Sequence, residues 1–228
     1  MAAPEFKAGA MPTEERIAAW RRMTGSLLIS NLRDREVIHA QGDELAGLFC
    51  LLSGVVKLSH VTDQGRQLTI AVLGPDSLFG TALAGKTANC AATAMGEVRL
   101  VRLTPPDVLR LLHEDSQFAL FLNAELEAAR ERAERKLIDR ETKTVETRII
   151  ETLCELALAF GAPCAHGYSL EIPLTQQDIA DLVHATRPVV ARIMNALRRR
   201  GALDYRRDLI CVNESALRAV SGASLPAV

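Results

Sequence analysis

The sequence predicts an α+β chain with a small β jelly roll first, a long helix in the middle and a winged helix-turn-helix at the end. Three observations carry this. Short β-prone runs separated by turn residues fill the segment before residue 104, Ser116 to Lys143 contains neither glycine nor proline, and two capped helical patterns follow one another from Thr175 to Arg200. The predicted boundaries are 1–25 for a tail with a short helix at Thr13 to Met23, 26–114 for the β domain, 115–143 for the long helix and 144–228 for the helix-turn-helix domain. The small-residue tail at the start and Gly222 to Val228 are assigned no function.

In the β domain the predicted strands are Glu36 to His39, Leu48 to Leu52, Val55 to Val61, Leu68 to Leu73 and Val98 to Leu103. Gln41-Gly42-Asp43, Ser53-Gly54, Asp63-Gln64-Gly65 and Gly74-Pro75-Asp76 separate them as turns. Strands of that length and spacing suit a small antiparallel barrel or jelly roll.

Along the long helix Phe118, Phe121, Leu122, Leu126, Ala129, Ala133 and Leu137 form an apolar stripe among many Glu and Arg. A narrow stripe flanked by opposite charges suits a two-helix seam, and these seven residues are the predicted dimer interface. Packing on its own domain is the simpler alternative. A cap at Thr144 or Thr147 starts the next helix, Val145 to Phe160, which puts a hinge near Lys143.

The first helix of the C-terminal pair starts at Thr175, with Asp178 at the third helical position able to reach back to the cap. Ile179, Leu182 and Val183 share one face. A turn at His184 and Ala185 leads to a second cap at Thr186, after which Pro188 costs nothing because a first-turn N–H has no helical partner. Val190, Ile193, Met194 and Leu197 then face the first helix, while Arg187, Val189, Arg192 and Asn195 point outward.

Seven arginines (Arg187, Arg192, Arg198, Arg199, Arg200, Arg206, Arg207) stand against the single acid Asp204 and Asp208 beyond it, in a chain whose net charge is only -1. The positive charge is therefore concentrated. The arginine fork matches phosphates and guanine edges, and neutralising phosphates releases counterions. After Gly201 two apolar runs, Ala202 to Tyr205 and Leu209 to Val212, flank Arg206-Arg207-Asp208 and predict a hairpin wing. A merely solvated arginine-rich helix would not explain caps, turn and wing together, so the pattern points to double-stranded DNA as partner.

The segment T-Q-Q-D-I-A-D-L-V-H-A-T-R-P-V-V-A-R resembles the helix-turn-helix of the Crp/Fnr transcription regulators, T-x-x-[DE]-[IL]-A-x-x-[VL]-G-x-[ST]-R-x-x-[VL]-x-R. Upstream, VIHAQGD (37 to 43), LFCLLSGVVKL (48 to 58) and LGPDSLFG (73 to 80) are similar to the cyclic-nucleotide-binding fold of the same regulators, so the resemblance spans about residues 32 to 213. It implies a soluble cytoplasmic homodimer that binds a palindromic operator, acts as an activator with RNA polymerase and is not an enzyme. Arg187 and Arg192 would contact bases, Val189 a thymine methyl, and Thr175, Gln176, Thr186 and Arg198 to Arg200 phosphates. Two departures stand out: His184 replaces the turn glycine, and Pro188 replaces a glutamate that reads cytosine, which implies an altered operator.

The family's nucleotide cassette, F-G-E followed by R-S-A, reads here as Phe79, Gly80, Thr81 and then Lys86, Asn89 and Cys90, without the acid or the arginine. Phosphate capture needs a compact turn, an acid for the ribose and a cation. No cofactor is therefore expected, cAMP is not the expected ligand, and the dimer is expected to be competent without one. The alternative is gating by another small molecule, by haem or by a thiol switch.

The five cysteines Cys50, Cys90, Cys154, Cys164 and Cys211 are scattered without a CxxC pair, which suggests reduced thiols. Cys50, Cys154 and Cys211 are expected in the core, Cys90 and Cys164 in loops. His39, His60, His113, His166 and His184 are dispersed too, without the paired pattern of a barrel metal site. At 228 residues and 48% hydrophobic content there is material for two cores, and no run approaches membrane-spanning length.

Overall fold

The computed structural model describes residues 13–25, 27–45, 47–165, 167–206 and 209–213. The two terminal tails, His166 and the Arg207-Asp208 tip of the expected wing lie outside them. The chain divides into two compact units, Met1–Val56 with Leu73–Ala133, and Lys57–Val72 with Glu134–Val228. The fold is mixed helix and sheet, as the sequence predicts.

Strands β1 (Leu28–Leu32), β2 (Val37–His39), β3 (Leu48–Val61), β4 (Gln67–Leu73), β5 (Leu78–Gly80) and β6 (Ala91–Leu103) form one sheet. Its order is β1-β6-β3-β4, with β2 on β6 and β5 on β3. The predicted turn at Ser53-Gly54 does not exist. β3 runs straight through it, because Gly54 (φ +85°) lets β3 press on β6 where a Cβ would come within 2.2 Å of the Glu97 carbonyl oxygen. Two apolar runs split by a turn signal thus make one 14-residue strand. Strands β1 and β5 are absent from the prediction, being too short or too polar to carry an alternation.

Helix α1 (Thr13–Thr24) belongs to the core of the first unit. Trp20 is 1% exposed and meets the Phe118 ring edge-on at 5.2 Å. Arg16, itself buried, pairs with Asp76 and lies over the Phe121 ring at 4.4 Å. Helix α2 (Pro105–Glu114) starts on a Thr104/Asp107 capping box and buries Val108 and Leu111 in the same cluster. Helix α3 (Ser116–Thr142) follows.

In the second unit Thr144 caps α4 (Val145–Phe160), accepting from the Thr147 N–H, and α4 buries Ile149, Ile150, Leu153 and Ala157. Strands β7 (Gly161–Cys164) and β8 (Gly167–Leu170), neither of them predicted, join β9 (Leu203–Arg206) and β10 (Leu209–Val212) in the order β7-β8-β10-β9. The wing is thus half of a four-stranded sheet. Between these hairpins lie α5 (Gln176–Leu182) and α6 (Arg187–Arg199). Cys164 stands in β7, not in a loop, and Cys211 is only half-buried because alternate residues of β10 face outward. Cys50 and Cys154 are core residues.

Candidate DNA interface

The helix-turn-helix is fixed first by its own caps. The Thr175 N–H donates to Asp178 Oδ2 at 2.9 Å, and the Asp178 N–H donates back to Thr175 Oγ1 at 3.1 Å. After α5 the chain reverses at His184, whose φ of +51° lies in the left-handed region. That is why glycine is the usual occupant of such a C-terminal position. Thr186 is the backbone N-cap of α6, but its hydroxyl makes no cap hydrogen bond, unlike the predicted role. Pro188 occupies the first turn, and Val190, Met194 and Leu197 are buried. Arg187, Pro188, Arg192, Asn195 and Arg198 to Arg200 are exposed, with Val189 half-buried among them.

A second set of bonds, not anticipated from sequence, holds α5 from outside. Asp178 and Asp181 are buried, and both carboxylates are met by the Lys57–Val72 part of the same unit, which holds the end of β3, the link and most of β4. Thr69 Oγ1 donates to Asp178 Oδ1 at 2.7 Å, and Lys57 Nζ stands 3.1 Å from the same oxygen. The Thr69 N–H donates to Asp181 Oδ2 at 3.0 Å, and Gln177 and Arg66 serve its other oxygen. Burial alone would raise the Asp178 pKa. The hydrogen bonds from Thr175 and Thr69 and the Lys57 charge outweigh it, so the carboxyl is held below its ordinary range.

The arginines divide into two groups. Arg198 pairs with Asp204 at 2.8 Å and Arg200 with Glu146 at 2.9 Å. Among the described residues Arg187, Arg192 and Arg199 have no acidic partner, and they keep their full donor capacity on the surface of α6. The wing strand β9 is tied to the helix pair at Tyr205. Its hydroxyl donates to Asn195 Oδ1 at 2.9 Å and accepts from Gln176 Nε2 at 3.5 Å, while the Arg198 guanidinium lies 5.4 Å from its ring centre.

The cassette positions of the first unit occupy the end of β5 and the segment that follows it. Phe79 is buried and stacked on Phe49 at 5.2 Å, and Gly80 (φ +93°) would bring a Cβ to 2.5 Å from the Gly47 carbonyl oxygen. Thr81 turns its hydroxyl to the Leu83 N–H. From Thr81 to Cys90 there is no helix, Lys86 and Asn89 are exposed, and burial raises the pKa of the half-buried Cys90. Cys50, deeper in the same unit, is pushed up to about 12, above all by burial.

On α3 the predicted seam splits. Phe118 and Phe121 are buried in the chain's own core, where α1 covers them, and Leu122 is half-buried. Leu126 and Leu137 are 62% and 64% exposed, and Ala129 and Ala133 are exposed between them.

Two family descriptions match the chain: the cyclic nucleotide-binding domain over residues 29–115 and the Crp-like helix-turn-helix domain over residues 147–220. The chain belongs to the Crp/Fnr family of transcription regulators. Among the family's proteins, the global nitrogen regulator of Nostoc sp. (strain PCC 7120) is 27% identical over 192 residues, covering 82% of this chain and 86% of the relative. The nitrogen fixation regulation protein FixK of Azorhizobium caulinodans is 29% identical over 180 residues, covering 77% and 72%. The CRP-like cAMP-activated global transcriptional regulator of Mycobacterium tuberculosis is 24% identical over 180 residues, covering 78% and 80%. A CRP-family transcriptional regulator from Thermus thermophilus shares the fold with a TM-score of 0.73 at 24% identity, over 87% of this chain and all of that one. The Crp/Fnr chain is thus a regulator, not an enzyme, and none of its described helices is long and apolar enough to cross a membrane.

Proposed function

We propose that this Crp/Fnr regulator is a cytoplasmic homodimer that reads a palindromic DNA operator with α6 and does so without cAMP. The observation that carries the reading is the exposed row of Arg187, Arg192 and Arg199, without acidic partners among the described residues, on a helix whose neighbour is held by a capping box. Arg187 and Arg192 supply guanine contacts and Val189 an apolar surface for a thymine methyl. Thr175, Gln176, Thr186 and Arg198 to Arg200 supply phosphate contacts, and the unused Thr186 hydroxyl is available for one. Pro188 offers no hydrogen bond to a base, so the operator differs from one read by glutamate at that position.

The exposed stripe of Leu126, Ala129, Ala133 and Leu137 is the surface that a second copy's α3 would cover. Cyclic AMP activation, named for the mycobacterial relative, is not carried over to this chain. Thr81 provides no carboxylate for a ribose, Lys86 is the cation nearest the place of the missing arginine, and the segment between them is open loop. RNA polymerase is the further partner of such a regulator at a promoter.

Selection from a random duplex pool by the ligand-free protein at fixed salt tests this reading. The expected result is a two-fold motif with half-sites about one DNA turn apart. Enrichment of a single half-site would overturn the dimer, and no enrichment would overturn ligand-free DNA reading.

A further inference from the structure

We infer that Asn195 is a base-reading residue whose choice of base is set by Tyr205 of the wing. The inference rests on the DNA reading proposed above and adds to it a specificity determinant that the motif does not contain.

Asn195 lies three residues beyond Arg192 on the exposed face of α6. Three residues of α-helix advance about 4.5 Å, close to one base step of about 3.4 Å, so the two side chains fall over neighbouring base pairs. An asparagine amide has one acceptor and one donor end, and unrestrained it can turn either toward a base. In the familiar bidentate contact with adenine it uses both.

Here the turn is decided by a directional chain across three elements. Gln176 Nε2 on α5 donates to the Tyr205 hydroxyl at 3.5 Å, and that hydroxyl donates to Asn195 Oδ1 at 2.9 Å. With Gln176 Nε2 as the donor to that hydroxyl, the tyrosine proton points at Asn195 and the amide oxygen is the end that receives it. The wing strand holding Tyr205 is itself fixed to α6 by Asp204 on Arg198 and by the Arg198 guanidinium near the ring. With its oxygen turned to Tyr205, the amide presents the Nδ2 group with its two N–H donors to the groove. Two N–H donors match the base edge that offers two acceptors and no donor, which in the major groove is guanine with N7 and O6; thymine offers the single acceptor O4. Tyr205 is a positioning residue in this scheme and need not touch DNA.

The test repeats the selection from a random pool with the wild-type protein, Asn195→Ala and Tyr205→Phe, at one salt concentration, with thermal melts to verify folding. The wild type is expected to prefer guanine at a base pair next to that read by Arg192. Asn195→Ala should lose the preference at that pair alone. Tyr205→Phe, which frees the amide to turn over, should move the same pair toward adenine, an outcome that simple loosening of the wing would not produce. Adenine preference in the wild type, an unchanged motif in both variants, or an equal loss by Asn195→Ala on every sequence would overturn the assignment while leaving DNA reading intact. A wild type that selects no motif overturns the DNA reading and this assignment together.

Discussion

Arg192 and Arg199 sit on the same exposed surface of α6, yet they are expected to do different work. Arg192→Ala should cost roughly 1 to 3 kcal/mol on the selected operator and relax one base pair, whereas Arg199→Ala should weaken all duplexes alike and reduce the salt slope by about 1. Binding isotherms on operator and random DNA over a salt series distinguish the two. Asp178 makes a prediction about stability. Its pKa is held below the ordinary range in the folded chain, so its contribution is complete above the unfolded carboxyl's titration and is lost as pH falls through the folded value. Urea midpoints between about pH 7 and about pH 3 should therefore fall more steeply for the wild type than for Asp178→Asn, which should already be weaker at neutral pH by about 1 to 3 kcal/mol. The Thr175/Asp178 cap was legible in the sequence because its partners are three residues apart. Lys57, Arg66 and Thr69 were not, since they lie 109 to 121 residues from the carboxylates they meet and no local pattern marks such a pair.

At the level of elements, α4, α5 and α6 were legible because each combines a 3.6-residue period with a recognisable cap, and α3 because no glycine or proline interrupts its apolar stripe. The missed strands β7 and β8 have four residues each, too few to show an alternation, and β1 is half polar. Gly54 was read as a turn because glycine marks turns and close approaches alike. In β3 it is a close approach, so Gly54→Ala should destabilise the protein by about 3 kcal/mol through strain at a positive φ and a clash with Glu97, measured as a drop in the denaturant midpoint. On α3, Leu126→Glu places a charge in the exposed stripe without touching the buried Phe118 and Phe121. Light scattering should then find a monomer with unchanged helical circular dichroism, and a persistent dimer would move the seam elsewhere.

For the whole molecule, the order of β runs, long helix and helix-turn-helix was legible in the sequence. What the sequence could not indicate is that the β3–β4 link belongs to the same compact unit as α5, since chain order assigns it to the β domain. The central claim is that the folded dimer reads both halves of its operator with no nucleotide bound. Anisotropy titration of the selected duplex, and of the same duplex with one half-site scrambled, with and without cAMP at fixed salt, addresses it directly. The expected dissociation constant is about 10⁻⁸ M or below without cAMP, unchanged when cAMP is added and weakened by at least about tenfold when one half is scrambled. Binding that appears only in the presence of cAMP would contradict it.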